Sequence, residues 1–185
     1  MFIHRVDEDL ALKIIDLRDA ERIFELTNQS RDYLREWLPW VDMTIKLEDT
    51  CEFIKGTLKG YAENRSLTTA ILYKGEIVGT AGFNEIKWSN KTAYIGYWLG
   101  EAYQGNGIMT KVAKALTNYA FQDLKLHKVE IRAAEGNKKS RSIPERLHFV
   151  KEGNIRQAEL LNEHYVDHVV YGILAEEWNK MLNND

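Results

Sequence analysis

The stretch GEAYQGNGIMTKVAKALTNYAF, residues 100–121, decides the fold. Gly105 and Gly107 stand directly ahead of an amphipathic helix in which Ile108, Val112, Ala115, Leu116, Tyr119 and Ala120 recur at spacings of three and four. Glycines there let the backbone bend tightly and leave unpaired N–H groups at the positive end of the helix. An anion, above all a phosphate, is the natural partner of such a site. A plain glycine turn that only starts a helix is the competing reading, so the flanking sequence has to decide.

Upstream, residues 10–17 alternate as a strand, with Leu10, Leu12 and Ile14 set against Ala11 and Lys13. Asp19 then reads as the N-cap of a helix carrying Ile23, Phe24 and Leu26. A short helix is expected over 31–37, before Pro39. A longer one is expected over 47–64, with Cys51, Ile54, Leu58 and Tyr61 as its apolar stripe. The period then changes to that of strands over Leu67–Tyr73, Glu76–Lys87 and Thr92–Leu99, with tight turns at 73–76 and 88–91. Downstream of the glycine helix (107–123) follow a strand at Lys128–Ala134, a helix near 140–147, and strands near 149–157 and His164–Leu174. A strand on each side of the glycine helix requires a parallel crossover. The fold class is therefore α/β in the α+β sense. A largely antiparallel mixed sheet carries one parallel strand–helix–strand unit, and its glycine loop lies at a strand's carboxyl end, where ligands collect.

The chain has 185 residues, enough for one well-cored domain over 1–185. Hydrophobic residues make up 44% and charged residues 29%, with a net charge of −3. That balance, with a pI near 6.0, speaks against a nucleic-acid binder. The opening MFIHRVDEDLALK carries acids and no sustained apolar run, so neither a signal peptide nor a membrane span is expected. A lone cysteine, Cys51, cannot make an internal disulfide and fits a reducing cytoplasm. His4, His127, His148, His164 and His168 are scattered without metal-ligand spacing, so no metal is expected.

Two phosphate-binding patterns fail. No third glycine completes a dinucleotide fingerprint after Gly105 and Gly107, and no glycine-lysine-serine or glycine-lysine-threonine run exists. What remains, QGNGIM at 104–109, resembles the Q/R-x-x-G-x-G/A signature of the GNAT acetyltransferase superfamily, with Met109 in place of the last small residue. AYIGYWLG (93–100), NKKSRSIPERLHFVKEG (137–153), YVDHVVY (165–171) and REWLPW (35–40) are similar, in order and spacing, to segments of the Rim-type ribosomal-protein N-terminal acetyltransferases.

The resemblance implies acetyl-coenzyme A as donor and an amine as acceptor. Gln104, Gly105, Asn106, Gly107, Ile108, Met109 and Thr110 would hold the pyrophosphate, and the strand at Tyr97, Trp98 and Leu99 would bind the pantetheine arm through its backbone. Asn137 would contact the arm as well. The tyrosine that many relatives carry seven residues after that asparagine is Pro144 here, which has no proton to give. The Rim-type branch implies Ser140 instead, as proton or hydrogen-bond donor to the leaving thiolate. Ser142-Ile-Pro-Glu145 fits a capping box, which leaves Ser140 free for the ligand.

The base stays open. Tyr94 stands where relatives have a glutamate, and Glu85 and Asn84 lie on the preceding strand, where alternation turns only one of them to the cleft. A water chain, or an amine already partly deprotonated, is the other route. His148 replaces a family glycine in the turn before Phe149. Trp37, Trp40 and Asn84 are candidate acceptor contacts. The expected acceptor is a protein N-terminal α-amine of the ribosomal serine or alanine type. A small-molecule amine and a non-catalytic acyl-coenzyme-A sensor are the alternatives, and Rim-type relatives make a homodimer a further expectation.

Overall fold

A computed structural model describes residues 3–183. The strands are β1 (Ile3–Arg5), β2 (Leu10–Ile14), β3 (Leu67–Tyr73), β4 (Glu76–Lys87), β5 (Thr92–Leu99), β6 (Lys128–Ala134), β7 (Val150–Leu161) and β8 (His164–Leu174). The α-helices are α1 (Ala20–Gln29), α2 (Arg31–Leu34), α3 (Leu47–Ala62), α4 (Ile108–Gln122), α5 (Lys138–Arg146) and α6 (Ala175–Leu182). All the strands lie in one sheet of order β1-β2-β3-β4-β5-β6-β8-β7. Every neighbouring pair is antiparallel except β5 and β6, which α4 joins as a parallel crossover. The mixed sheet read from the sequence is the one that forms.

The turn between β3 and β4 works because Lys74 and Gly75 both take positive φ, 52° and 85°, which matches the twist of the strands they join. Asn162 and Glu163, at 46° and 67°, do the same between β7 and β8. On one face of the sheet, α4 buries Ile108, Val112, Leu116 and Ala120 against Ile95, Val129, Ile131 and Val169. Each large side chain there contributes roughly 1.5–3 kcal/mol by leaving water. Trp178 of α6 closes this core, fully buried, with its indole Nε1 donating to Asn118 Oδ1 at 2.7 Å. On the other face a second core gathers Ile15, Ile23, Leu26, Val41, Ile54 and Trp98 under α1 and α3.

Several local expectations are corrected. The first strand stops at Ile14, because Asp16 caps a short 3-10 turn at Leu17–Asp19. Asp19 holds the N-cap position of α1, as expected, but its side chain makes no capping hydrogen bond. Its carboxylate is taken by Lys13 Nζ at 2.6 Å and by the Asp16 N–H at 2.9 Å, a buried pair that satisfies both ions. The second helix is shorter than 31–37, and the strand before β8 runs on past residue 157 to Leu161. Both β1 and α6 lie outside the sequence reading. β1 is too short to show a period, and α6 follows β8 without a break.

Candidate active site

Parallel pairing of β5 with β6 begins at Thr92–Lys128 and ends at Ile95–Ile131. Beyond that point Gly96, Tyr97, Trp98 and Leu99 pair only with β4, through Gly82, Ala81, Thr80 and Gly79. One edge of β5 is thus open, and an unpaired strand edge can accept an extended chain as an added strand. The open edge leads from the glycine loop to the start of α5.

The loop itself is built for an anion. Gly105 and Gly107 take φ of 77° and 69°, the left-handed region where glycine is at ease, and a Cβ on either would meet nothing within 4 Å. Gly107 is the N-cap of α4 and no side chain caps the helix. The N–H groups of residues 105–110 donate to no described residue. Gln104 Nε2 is buried without a hydrogen-bond partner among the described residues. Beside them, Arg146 holds Thr110 Oγ1 through Nε (3.2 Å) and Nη2 (3.0 Å), and Lys139 Nζ donates to Gln104 Oε1 at 3.0 Å. Neither cation has a carboxylate partner among the described residues. Orphaned donors, free cations and open space fit a pyrophosphate. The sequence reading passed over Lys139 and Arg146, although with Ser142 they share one helical face.

These groups wall a cleft of about 710 Å³ that also touches Tyr97, Leu99, Asn137 and Ser140. Not every expected contact presents its side chain to it. Ile108 and Met109 are buried in the core and offer the loop only backbone, and Asn106 turns its amide back to the Tyr103 and Gln104 carbonyls. Trp98 is buried against Trp40, with ring centroids 5.8 Å apart.

Capping of α5 is also corrected. Asn137, not Ser142, is its N-cap, with Oδ1 accepting the Ser140 N–H at 3.0 Å, while Ser142 Oγ donates to the Lys139 carbonyl. That cap fixes Ser140 in the first turn. Its Oγ donates to Tyr97 Oη at 3.4 Å, and Tyr97 Oη donates to the Ser140 carbonyl at 3.1 Å. Burial pushes the Tyr97 phenol well above its usual range, so it stays protonated and neutral.

Across this Tyr97–Ser140 waist lies a second cleft, of about 570 Å³, which shares Trp37, Leu38, Tyr97, Asn137 and Ser140 with the first. Asn84 and Glu85 both line it, because a bulge between Phe83 and Glu85 breaks the alternation that would have hidden one of them. Glu85 is exposed and lies 3.5 Å from Lys87. On the facing wall Glu159 Oε2 lies 3.0 Å from His168 Nε2, with both side chains partly buried. This pair escapes a sequence reading because β7 is irregular between Ile155 and Glu159, where Gln157 takes φ of 48°. Tyr94 is sandwiched by Arg132, 4.5 Å from its ring centre, and Lys87, at 5.0 Å.

Among the described residues no three metal-ligating side chains gather, and no helix is long and apolar enough to cross a membrane. The arrangement suits direct transfer between two ligands that enter from opposite sides of one waist.

Comparison with known proteins agrees with this geometry. Over 179 residues the chain is 34% identical to a putative ribosomal N-acetyltransferase, YdaF, of Bacillus subtilis, covering 96% of this chain and 98% of that one. It is 30% identical over 172 residues to the ribosomal-protein-serine acetyltransferase of Escherichia coli, with 93% and 96% covered. Among solved structures, the RimL ribosomal L7/L12 alpha-N-protein acetyltransferase in complex with coenzyme A superposes with a TM-score of 0.89 at 30% identity, covering 94% and 98%. The microcin C7 self-immunity acetyltransferase MccE, in complex with acetyl-CoA and AMP, gives 0.87 at 32%, covering 91% and 94%. Residues 9–150 match the acetyltransferase (GNAT) domain. The chain belongs to the GNAT acetyltransferase family, among the relatives of the Rim-type ribosomal-protein acetyltransferases.

Proposed function

We propose that this protein, as one catalytic domain, transfers an acetyl group from acetyl-coenzyme A directly to the N-terminal α-amine of a protein, with a ribosomal protein as the leading class of acceptor. One observation carries the reading. A single open strand edge leads from a loop of orphaned N–H donors to the Tyr97–Ser140 waist, and the second cleft opens at that same waist.

The loop N–H groups of residues 105–110, with Gln104, Lys139 and Arg146, hold the pyrophosphate. The backbone of Tyr97, Trp98 and Leu99 takes the pantetheine arm, and a backbone N–H of that edge polarises the thioester carbonyl. Asn137 reaches the same arm through its free Nδ2, its Oδ1 being engaged by the cap. The amine nitrogen bonds to the thioester carbon, and the C–S bond breaks as the tetrahedral intermediate collapses. Glu159, steadied by His168, takes the amine proton directly or through a water. Ser140 Oγ gives a hydrogen bond or a proton to the departing thiolate. Glu85 is the competing base, and its ion pair with Lys87 favours Glu159 over it. Trp37 and Asn84 wall the acceptor's path, and Trp40 supports it from behind. The reaction belongs in the cytoplasm, where both substrates are at hand.

Similarity to the acetyl-CoA- and AMP-bound MccE supports a second reading, a small-molecule amine as acceptor. Thiol release from acetyl-coenzyme A, measured with a panel of N-terminal peptides and small amines, separates the two. Ser140→Ala is expected to lower kcat on the order of 100-fold while leaving the acetyl-coenzyme A Kd within about twofold. Gly107→Asp, which sets a carboxylate where phosphate is held, should abolish coenzyme binding. Release driven by small amines and by no peptide would replace the N-terminal reading. An unchanged kcat in Ser140→Ala would remove the serine from the mechanism.

A further inference from the structure

A hollow of about 240 Å³ opens on the sheet face beneath α1 and α3, and the transfer chemistry makes no use of it. One cross-strand row forms part of its lining. Thr68 of β3 faces Gly82 of β4, which faces Gly96 of β5. Both glycines line the hollow, with the Leu67 carbonyl lying where a Cβ on Gly82 would fall and the Asn84 amide where one on Gly96 would. Trp40, Trp98, Ile23 and Phe53 rise around the gap as its walls.

The hollow is continuous with the reaction centre. Leu38 and Tyr97 line it together with both clefts of the active site, and Asn84 and Gly96 line it together with the acceptor cleft. Asn84 lies over Gly96 so closely that a Cβ there would come within 2.3 Å of its Nδ2, which stands the amide on the rim between the two spaces.

The lining chemistry is distinctive. No described residue that lines the hollow carries a formal charge at neutral pH, and the Tyr97 phenol is held neutral by burial. The walls are apolar. Thr50, Thr68 and Thr80 line the space as well, and the first and last are buried residues. A side chain with a formal charge would lose its water there and find no counter-ion, which is strongly unfavourable. An aliphatic or hydroxyl-bearing side chain would gain apolar contact, or a threonine partner.

We propose that this hollow receives the side chain of the acceptor's first residue, admitting neutral side chains and excluding Asp, Glu, Lys and Arg. The proposal rests on the N-terminal reading given above. Its location supports it. Asn84 and Gly96 line both the acceptor cleft and the hollow, so an acceptor that enters by that cleft passes the hollow's mouth.

The test is kcat/KM for peptides identical except at the first residue, which is Gly, Ala, Ser, Thr, Met, Leu, Asp or Lys in turn. The wild type is expected to favour the neutral residues over Asp and Lys at least tenfold. Thr68→Leu fills the hollow from the sheet, and should lower the Leu-to-Gly and Met-to-Gly ratios at least fivefold. Phe53→Glu lies on the exposed outer rim, where folding is not at stake, and should raise the Lys-to-Asp ratio at least threefold. Peptide turnover with no such preferences, or with preferences that neither variant moves, overturns the subsite. So does a Thr68→Leu enzyme whose peptide ranking is intact while its preference among acetyl-, propionyl- and butyryl-coenzyme A shifts, since the hollow would then hold the acyl chain. No turnover of any peptide, the Gly-first one included, is instead the failure of the N-terminal reading.

Discussion

His148 sits at φ +59° in the turn between α5 and β7, a conformation that costs a side chain with a Cβ about 1–2 kcal/mol. The resemblance implies a glycine at this place, and the histidine takes a left-handed backbone while bearing the strain. Part of that strain is offset by glycine's greater freedom in the unfolded chain. His148→Gly is therefore expected to stabilise the protein by up to about 1 kcal/mol and to raise Tm by roughly 2–4 °C, with kcat/KM unchanged. Thermal unfolding followed by circular dichroism checks it, and a lower Tm would mean that the imidazole makes a contact worth more than the strain. At this scale the sequence was readable for type and not for conformation. Gly105 and Gly107 announce a left-handed loop because glycine is made for it, whereas His148, Gln157 and Glu163 take positive φ with nothing in their chemistry to signal it.

In α5 the element presents three groups at spacings of three and four: Lys139, Ser142 and Arg146. Asn137 fixes the start of the helix, so this face turns toward Gln104 and Thr110 while Ser140 turns to Tyr97. On the proposed reading, one short helix would serve both the phosphate end and the thiol end of a single ligand. Arg146→Gln is expected to raise KM for acetyl-coenzyme A about tenfold, with kcat within about twofold, because a contact far from the reacting atoms binds ground state and transition state alike. Salt should weaken coenzyme binding less in the variant than in the wild type. A fall in kcat with KM unchanged would place Arg146 at the chemistry instead. The strands teach the converse lesson. Their positions are readable from period, yet irregularities beside Asn84 and before Glu159 re-aim side chains at the acceptor cleft. Pairing between strands sets those irregularities, so neither strand reveals them by itself.

For the molecule as a whole, the decisive feature is that β5 and β6 separate after Ile95 and Ile131, leaving a wedge between two halves of one sheet. On the proposed reading, a coenzyme in that wedge would replace the missing strand contacts and touch the loop, β5 and α5 together. It should therefore bind the folded state alone. At 100 times its Kd, coenzyme A is expected to stabilise the protein by about 2.7 kcal/mol and raise Tm by roughly 5–10 °C, a shift that Gly107→Asp should eliminate. Scanning calorimetry with and without coenzyme A decides it, and equal shifts in both proteins would remove the loop from the binding site. The sequence by itself determined the order of most elements, the parallel crossover and the place of the glycine loop, because each depends on residues close together along the chain, whereas the candidacy of Ser140 came through the resemblance to the Rim-type branch. Hydrophobic period and glycine ahead of a helix are local facts. Only the tertiary structure decided that Lys139 and Arg146 flank the loop, that Glu159 meets His168 across a bulge, and that Gly82 and Gly96 stand side by side in the lining of a hollow. Those pairings join residues distant in sequence, and what brings them together is the register of one strand against another, fixed by the burial of the whole sheet.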